Sequence, residues 1–111
     1  MIVVTTNEVP DHQIVKTIGM VRGLSVRSRS VVGNIGAAVQ IFFGGNISLY
    51  TELAEKARLE AYENLIAQAR AQGANAIVAM RYDANEMASA VTEVLAYGTA
   101  VVIEPTHKGV D

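Results

Sequence analysis

The sequence predicts an α+β fold of two layers, with one long helix lying on a mainly antiparallel sheet. Three observations predict it. Gln13 to Arg27 is a long run of strand-forming residues, residues 49–72 carry an alanine-rich stripe at helical spacing, and two further β-rich runs follow at 76–83 and 91–103. Strands repeat every second residue and helices every 3.6, so the two patterns separate cleanly.

The elements follow in order. Residues 2–5 form a short β-branched run, closed by the turn formers Asn7, Pro10 and Asp11. In the strand from Gln13 to Arg27, one parity holds Ile14, Lys16, Ile18, Met20, Arg22, Leu24 and Val26. The other holds Val15, Thr17, Gly19, Val21, Gly23 and Ser25. This second face is small, and glycines at i and i+4 let another backbone approach, so it is expected to receive the helix. Residues 30–51 contain no charged residue until Glu52, yet Gly33, Asn34, Gly36, Gln40, Gly44, Gly45 and Asn46 break any run of the ~20 apolar residues a membrane span needs. Ile35, Ala38, Val39, Phe42 and Phe43 instead fall on one face of a short helix at about 32–43, which Gly44-Gly45 terminates.

Ser48 is the expected N-cap of the main helix, Leu49 to Gln72. Tyr50, Leu53, Ala54, Ala57, Ala61, Leu65 and Ala69 make its core stripe, and Leu59, Tyr62 and Ile66 add a second apolar strip at the side. Glu52 with Lys56 and Glu55 with Arg58 mark the wetter side. Gly73 is the expected C′ residue with positive φ. The hairpin between the last two strands is placed at Ala84 to Ala90 with Asn85 in the turn. Pro105 ends the last strand, so one domain spans 1–105 and residues 106–111 form a tail.

The chain has 111 residues, 9 Lys+Arg, 11 Asp+Glu and no Cys, for a formal charge of −2. This length suits one domain with a core of its own. Zero Cys removes disulfides, thiolate metal sites and cysteine nucleophiles. The slightly acidic balance carries no electrostatic footprint for nucleic acid or anionic lipid, so neither is expected as a partner. The start, Met1-Ile2-Val3-Val4-Thr5-Thr6, has no basic region followed by an apolar core, and a cytoplasmic location is expected.

Chemistry is sparse. Glu8, Asp11 and His12 cluster near one turn, and His107 is the other imidazole; a transition-metal site needs three or four ligands on rigid elements, so no metal site is assigned. No Gly-x-Ser-x-Gly elbow and no phosphate-loop signature is present, and no cofactor is implied. Asp83, Glu86 and Glu93 could converge at one hairpin, but carboxylates there are usually solvated, and no catalyst is assigned. The candidate ligand-binding residues are Arg22, Gly44, Gly45 and Asp83. Arg22, Arg27 and Arg29, with Arg81, are the cations best placed to face an anion, and a glycine pair before a helix can expose backbone N–H groups to one.

Several segments together resemble the YbjQ-like family of small bacterial and archaeal proteins of unknown function. These are Gly19-Met20-Val21-Arg22-Gly23, Gly44-Gly45 ahead of Tyr50-Thr51-Glu52-Leu53 and Ala57-Arg58, Gly73-Ala74-Asn75-Ala76-Ile77-Val78, and Tyr97-Gly98-Thr99-Ala100-Val101. The resemblance covers about residues 1–104. It implies a dodecin-like β-α-β-β subunit with a three-stranded antiparallel sheet, 76–83 lying between the other two strands, assembled as a homopentameric ring. Some members carry a heavy-metal-binding label, and no catalytic residues come with the family.

Two classes of function remain: a non-enzymatic oligomeric scaffold or ligand-binding ring, and an enzyme or a metal- or anion-binding protein with its site at the subunit interface. The residues themselves favour assembly. The uncharged 30–51 segment, Phe42 and Phe43, and the strip of Leu59, Tyr62 and Ile66 exceed what one helix on one sheet can cover. The two surfaces differ in kind, and their mutual contact is heterologous, which closes into rings. Phe42, Phe43, Leu59, Tyr62 and Ile66 are therefore the expected interface.

Overall fold

The computed structural model describes residues 1–28, 48–88 and 91–106. The expected short helix at 32–43, and with it Phe42, Phe43, Gly44 and Gly45, lies outside the described residues, as does His107 with the rest of the tail. The elements are β1 (Ile2–Val3), β2 (His12–Ser28), α1 (Ser48–Ala71), β3 (Ala76–Ala88) and β4 (Val91–Pro105).

The α+β, two-layer architecture is as predicted, but the sheet has four strands in the order β1-β3-β4-β2. β1 joins parallel to β3, beside Ala76 and Ile77, and the other pairings are antiparallel. Two corrections follow. The sheet is four-stranded and mixed, because the N-terminal β-branched run pairs instead of merely preceding the fold. And β4, not β3, is the central strand: it bonds β2 along nearly its whole length on one side and β3 on the other. The hairpin is also tighter than Ala84 to Ala90. Ala84 pairs with Val94, Asn85 with Glu93 and Glu86 with Thr92, so strand pairing reaches Ala88. Ala, Asn and Glu are poor strand formers, and the β-branched partners Val91, Thr92 and Val94 carry them into the ladder.

The helix meets the sheet through small residues. Ala57, Ala61, Leu65 and Ala69 are buried against Val21, Ile77, Met80, Val94, Ala96 and Ala100. Gly23 lies beneath the helix, and a Cβ there would run into the Ala61 carbonyl oxygen and the Leu65 nitrogen. Gly19 differs. Its Cβ would meet nothing within 4 Å, and its role is conformational, with φ of +140° at a register shift between Thr17 and Gly19. A second shift falls between Ile14 and Lys16. These irregularities break the strict alternation expected for β2. Ile18 packs on the helix-side core, although it shares parity with the exposed Met20, Arg22 and Leu24.

Gly73 has φ of +89°, as expected for a C′ glycine. Ala74 N–H donates to Ala69 O at 3.0 Å and Gly73 N–H to Arg70 O at 3.0 Å, the paired bonds of a Schellman motif. Ala74 is buried immediately after the turn, which delivers the chain straight into β3. Asn75 then acts as a side-chain extension of the sheet. Its Nδ2 donates to Ile103 O at 3.0 Å, its Oδ1 accepts from Ile103 N–H at 2.8 Å, and its own N–H donates to Val101 O at 3.1 Å. Replacing Asn75 by alanine strands both Ile103 groups, and we expect a loss of about 1–3 kcal/mol in urea denaturation. A midpoint shift too small to resolve would show that water replaces the amide without cost.

A second, smaller core occupies the opposite face of the sheet. Val9, Ala76, Val78, Val101 and Ile103 are buried there with Val4 packed on them. The segment after β1 runs beside β3 to cover this region: Val4 N–H donates to Ile77 O, Met80 N–H to Val4 O and Ala79 N–H to Thr6 O. Ala79 takes φ of 54° at the register shift between Val78 and Arg81, which turns its N–H outward to this segment.

Candidate functional site

Beyond the part covered by the N-terminal segment, the described residues leave the face of the sheet away from the helix open. Register places Arg22, Tyr97 and Arg81 side by side on β2, β4 and β3, followed by Leu24, Leu95 and Asp83 in the next row. Directly paired residues point to the same face, so Arg22 and Arg81 share it with Tyr97 between them in the register. Arg81 is fixed from behind, its Nη1 donating to Thr5 O and to Met80 O, both at 2.8 Å. The Arg22 backbone N–H donates to Gln68 Oε1 at 2.7 Å, and no described residue pairs its side chain. Asp83 is exposed, and its Oδ2 accepts a long 3.4 Å bond from Asn85 Nδ2.

Of the predicted ligand-binding residues, the structure therefore puts Arg22 and Asp83 on one face. They are separated by two strand spacings and two residues, about 12 Å between Cα atoms at ordinary strand geometry, too far for direct pairing. Gly44 and Gly45 lie outside the described residues. Of the three hairpin carboxylates, Asp83 and Glu93 share the open face, whereas Glu86 pairs with Thr92 on the helix side. They do not converge. What the arrangement offers chemically is two arginines on one face of the sheet, a fit for a small oxyanionic ligand.

The helix flank is the other exposed feature. Leu59 is 56% exposed, while Tyr62 and Ile66 rest against the core edge. With Glu63, Ala67 and Arg70 they line a shallow hollow of about 410 Å³. Nearby, burial pushes the Tyr82 phenol above its ordinary pKa of 10.0, assisted by Tyr62 and opposed by Arg58. A raised phenol keeps its stabilising effect below pH ~10 and loses it as pH climbs through the higher folded value. Glu55 and Arg58 form the expected i, i+3 pair at 2.9 Å, a solvent-exposed contact of little weight.

Sequence reasoning missed a polar row along α1. Glu60, Asn64 and Gln68 stand at i, i+4 and i+8, one residue before Ala61, Leu65 and Ala69. Gln68 accepts from Arg22 N–H, Asn64 Nδ2 donates to Leu24 O at 3.0 Å, and Glu60 takes Ser25 Oγ–H at 2.7 Å and Arg27 Nη2 at 3.0 Å. The row satisfies the outer edge of β2 at Arg22 N–H and Leu24 O and holds the side chains of Ser25 and Arg27. Its helical spacing beside the alanine stripe was the available signal.

Metal ligation fits poorly. Among the described residues no three His, Asp or Glu side chains come together, and the sequence has no Cys. His12 Nδ1 is engaged with Pro10 O at 2.8 Å. Among the described residues no helix is long and apolar enough to cross a membrane.

Comparison with known proteins gives the lineage. A UPF0145 protein of Burkholderia lata is 58% identical over 103 residues, covering 93% of this chain and 87% of that protein. A UPF0145 protein of Paraburkholderia phymatum is 61% identical over 97 residues, covering 87% of each. Among solved structures, a protein of unknown function from the DUF74 family of Pediococcus pentosaceus superposes with a TM-score of 0.64 at 18% identity, covering 94% of this chain and 98% of that one, and shows the same fold. The YbjQ family model, described as "Putative heavy-metal-binding", matches residues 1–104. The family carries no established function, and the donor set described above does not fit the metal in that description. On the full-length match and these identities, the chain belongs to the YbjQ (UPF0145) family.

Proposed function

We propose that this chain is the subunit of a homo-oligomeric ring, a pentamer as the family resemblance implies, which works without catalysis in the cytoplasm as a scaffold or as a holder of a small ligand. The observation that carries the reading is the apolar flank of α1, where Leu59 is exposed beside the half-buried Tyr62 and Ile66 in a chain of only 111 residues. The dimensions agree with it. The radius of gyration is 18.5 Å, against about 13 Å for a compact domain of ~100 residues. So extended a subunit leaves much of its apolar surface for a neighbour to bury. Phe42 and Phe43, from the uncharged segment, are the expected partners of the helix flank.

Light scattering at micromolar concentration tests the ring, and a monomeric mass there would sink it. Leu59→Asp is the informative variant because Leu59 is already half out of the core, so folding survives while a charge enters the contact. We expect the variant to need at least tenfold more protein for assembly. Helical circular dichroism should be unchanged.

A second reading, an anion-binding site completed at the subunit interface, is favoured by one observation: Arg22 and Arg81 share a face, with Tyr97 between them in the register, without a carboxylate partner among the described residues. Thermal-shift measurements with pyrophosphate, sulfate and nucleotides separate the readings. A ligand at a hundred times its Kd adds ~2.7 kcal/mol of stability, and Arg22→Gln should abolish that shift. No shift with any anion leaves the scaffold.

A further inference from the structure

Residues 1–11 rest on the sheet through few contacts. Val9 is the buried residue of this segment, Val3 and Val4 are half-buried, and the others are exposed. The helix-side core takes only Val3 from it, packed at the margin of buried residues that belong to β2, α1, β3, β4 and the turn at Ala74. The second core depends on it more: Val9 is among its buried residues, and Val4 packs on them. Lifting the segment therefore uncovers Ala76, Val78, Val101 and Ile103, and it leaves Leu65 and the alanines around it packed.

The polar attachments are sparse as well. β1 has two residues, and Ile2 N–H reaches Asn75 O at a long 3.4 Å. Beyond β1, Val4 N–H donates to Ile77 O at 2.9 Å, Met80 N–H to Val4 O at 3.0 Å and Ala79 N–H to Thr6 O at 2.8 Å. Ala79 meets Thr6 at φ of 54°, a left-handed conformation in which its β-carbon crowds the backbone, so β3 is strained where it holds the segment. Arg81 adds a charge-assisted bond from Nη1 to Thr5 O and spends the other Nη1 hydrogen on Met80 O. The far end is pinned. Asp11 O accepts from Thr106 N–H at 3.0 Å and from Thr106 Oγ1 at 3.2 Å, and Asp11 turns the chain into β2 at φ of 63°. We infer that residues 1–10 form a strap that opens as a unit about Asp11, with the Arg81 guanidinium as its latch. Opening gives up the contacts of three valines and a handful of hydrogen bonds, whereas global unfolding gives up both cores, so the strap opens far more often than the chain unfolds. The open state exposes the apolar floor of the second core and the edge of β3 from Ile77 to Met80, and it returns to Arg81 the hydrogen that Thr5 O held. The strap thus governs access to that part of the sheet, and it stands apart from the ring and from the anion site.

Amide hydrogen exchange of the full chain reads the strap directly, because the N–H groups of Val4, Ala79 and Met80 bond across its joint with β3. With intrinsic rates divided out, they should exchange about a hundredfold faster than amides in the middle of α1 and β4, and their rates should rise only weakly with urea. Equal protection, or an equal urea dependence, would mean that the segment comes away only when the whole chain unfolds, and the strap is overturned. Arg81→Met keeps an unbranched apolar stem and removes the donors. It should speed the three amides at least tenfold and leave those of α1 and β4 unchanged. Arg81→Lys, which restores one charged donor, should recover most of the protection. Val9→Ala, which shrinks the apolar plug, should act with the same selectivity. If Arg81→Met leaves the three amides as they were, Arg81 is no latch. If either Arg81→Met or Val9→Ala speeds the amides of α1 and β4 by the same factor, the segment belongs to the global fold and does not open as a unit of its own.

Discussion

Gly23→Ala should destabilise the protein by about 3 kcal/mol or more, near the upper end of what one added methyl does in a packed site. The reason is what the methyl would meet. Its nearest neighbours are main-chain atoms of α1, the Ala61 oxygen, the Leu65 nitrogen and the Asn64 carbonyl carbon at 2.9 Å, and none can rotate aside. The helix would have to lift as a body. Lifting it draws Glu60, Asn64 and Gln68 away from β2, so Arg22 N–H, Leu24 O and Ser25 Oγ lose their partners together. Gly19→Ala is the matched control. A methyl there finds open space, and the cost comes from φ of +140° alone. Urea denaturation of both variants should give a much larger midpoint drop for Gly23→Ala. Equal drops would mean that the helix is not seated as tightly on β2 as the geometry requires.

That same glycine shows how far the sequence reaches. The helix was legible because Ala57, Ala61, Leu65 and Ala69 recur at four-residue spacing and Gly73 follows, and the structure seats that stripe on the Val21–Gly23–Ser25 face. Periodicity identifies a face, however, and not a neighbour. Nothing in the alternation of residues 91–103 says that this strand lies at the centre, since a strand bonded on both sides and one bonded on one side share the same period of two. Bulges defeat parity as well: Gly19 and the shift beside Lys16 turn Ile18 into the core while Met20, 72% exposed, and Arg22 face outward. Arg22 and Asp83 could be named as candidates from the sequence, but that they share a face follows only from their register across β4. The Arg81 contact with Thr5 was not, because it joins positions 76 residues apart through a two-residue strand too short to carry a pattern. The polar row of α1 escaped for another reason. Glu, Asn and Gln beside a core stripe usually point into water, and only the nearness allowed by Gly23 brings them to the edge of β2.

Leu65→Ala should cost about 3–5 kcal/mol, toward the top of the range for losing a buried leucine. Leu65 is fully buried, and the cluster around it is built largely from alanine: Ala57, Ala61, Ala69, Ala74, Ala96 and Ala100. A cavity left among long side chains partly refills as they swing inward. Alanines have no rotamers with which to do so, and the backbones they hold apart are already in contact through Gly23. The void should therefore persist, and the loss approaches the transfer cost of the leucine methyl groups plus the full cavity cost. Leu65→Met preserves volume and should lose less than about 1.5 kcal/mol. Denaturant titration of the two variants at a concentration where the assembly state is the same separates packing from association. A loss below 2 kcal/mol for Leu65→Ala would show that α1 can settle onto β2 and β4 after all, and it would weaken the expectation for Gly23→Ala with it, since both rest on a helix that cannot move toward or away from the sheet.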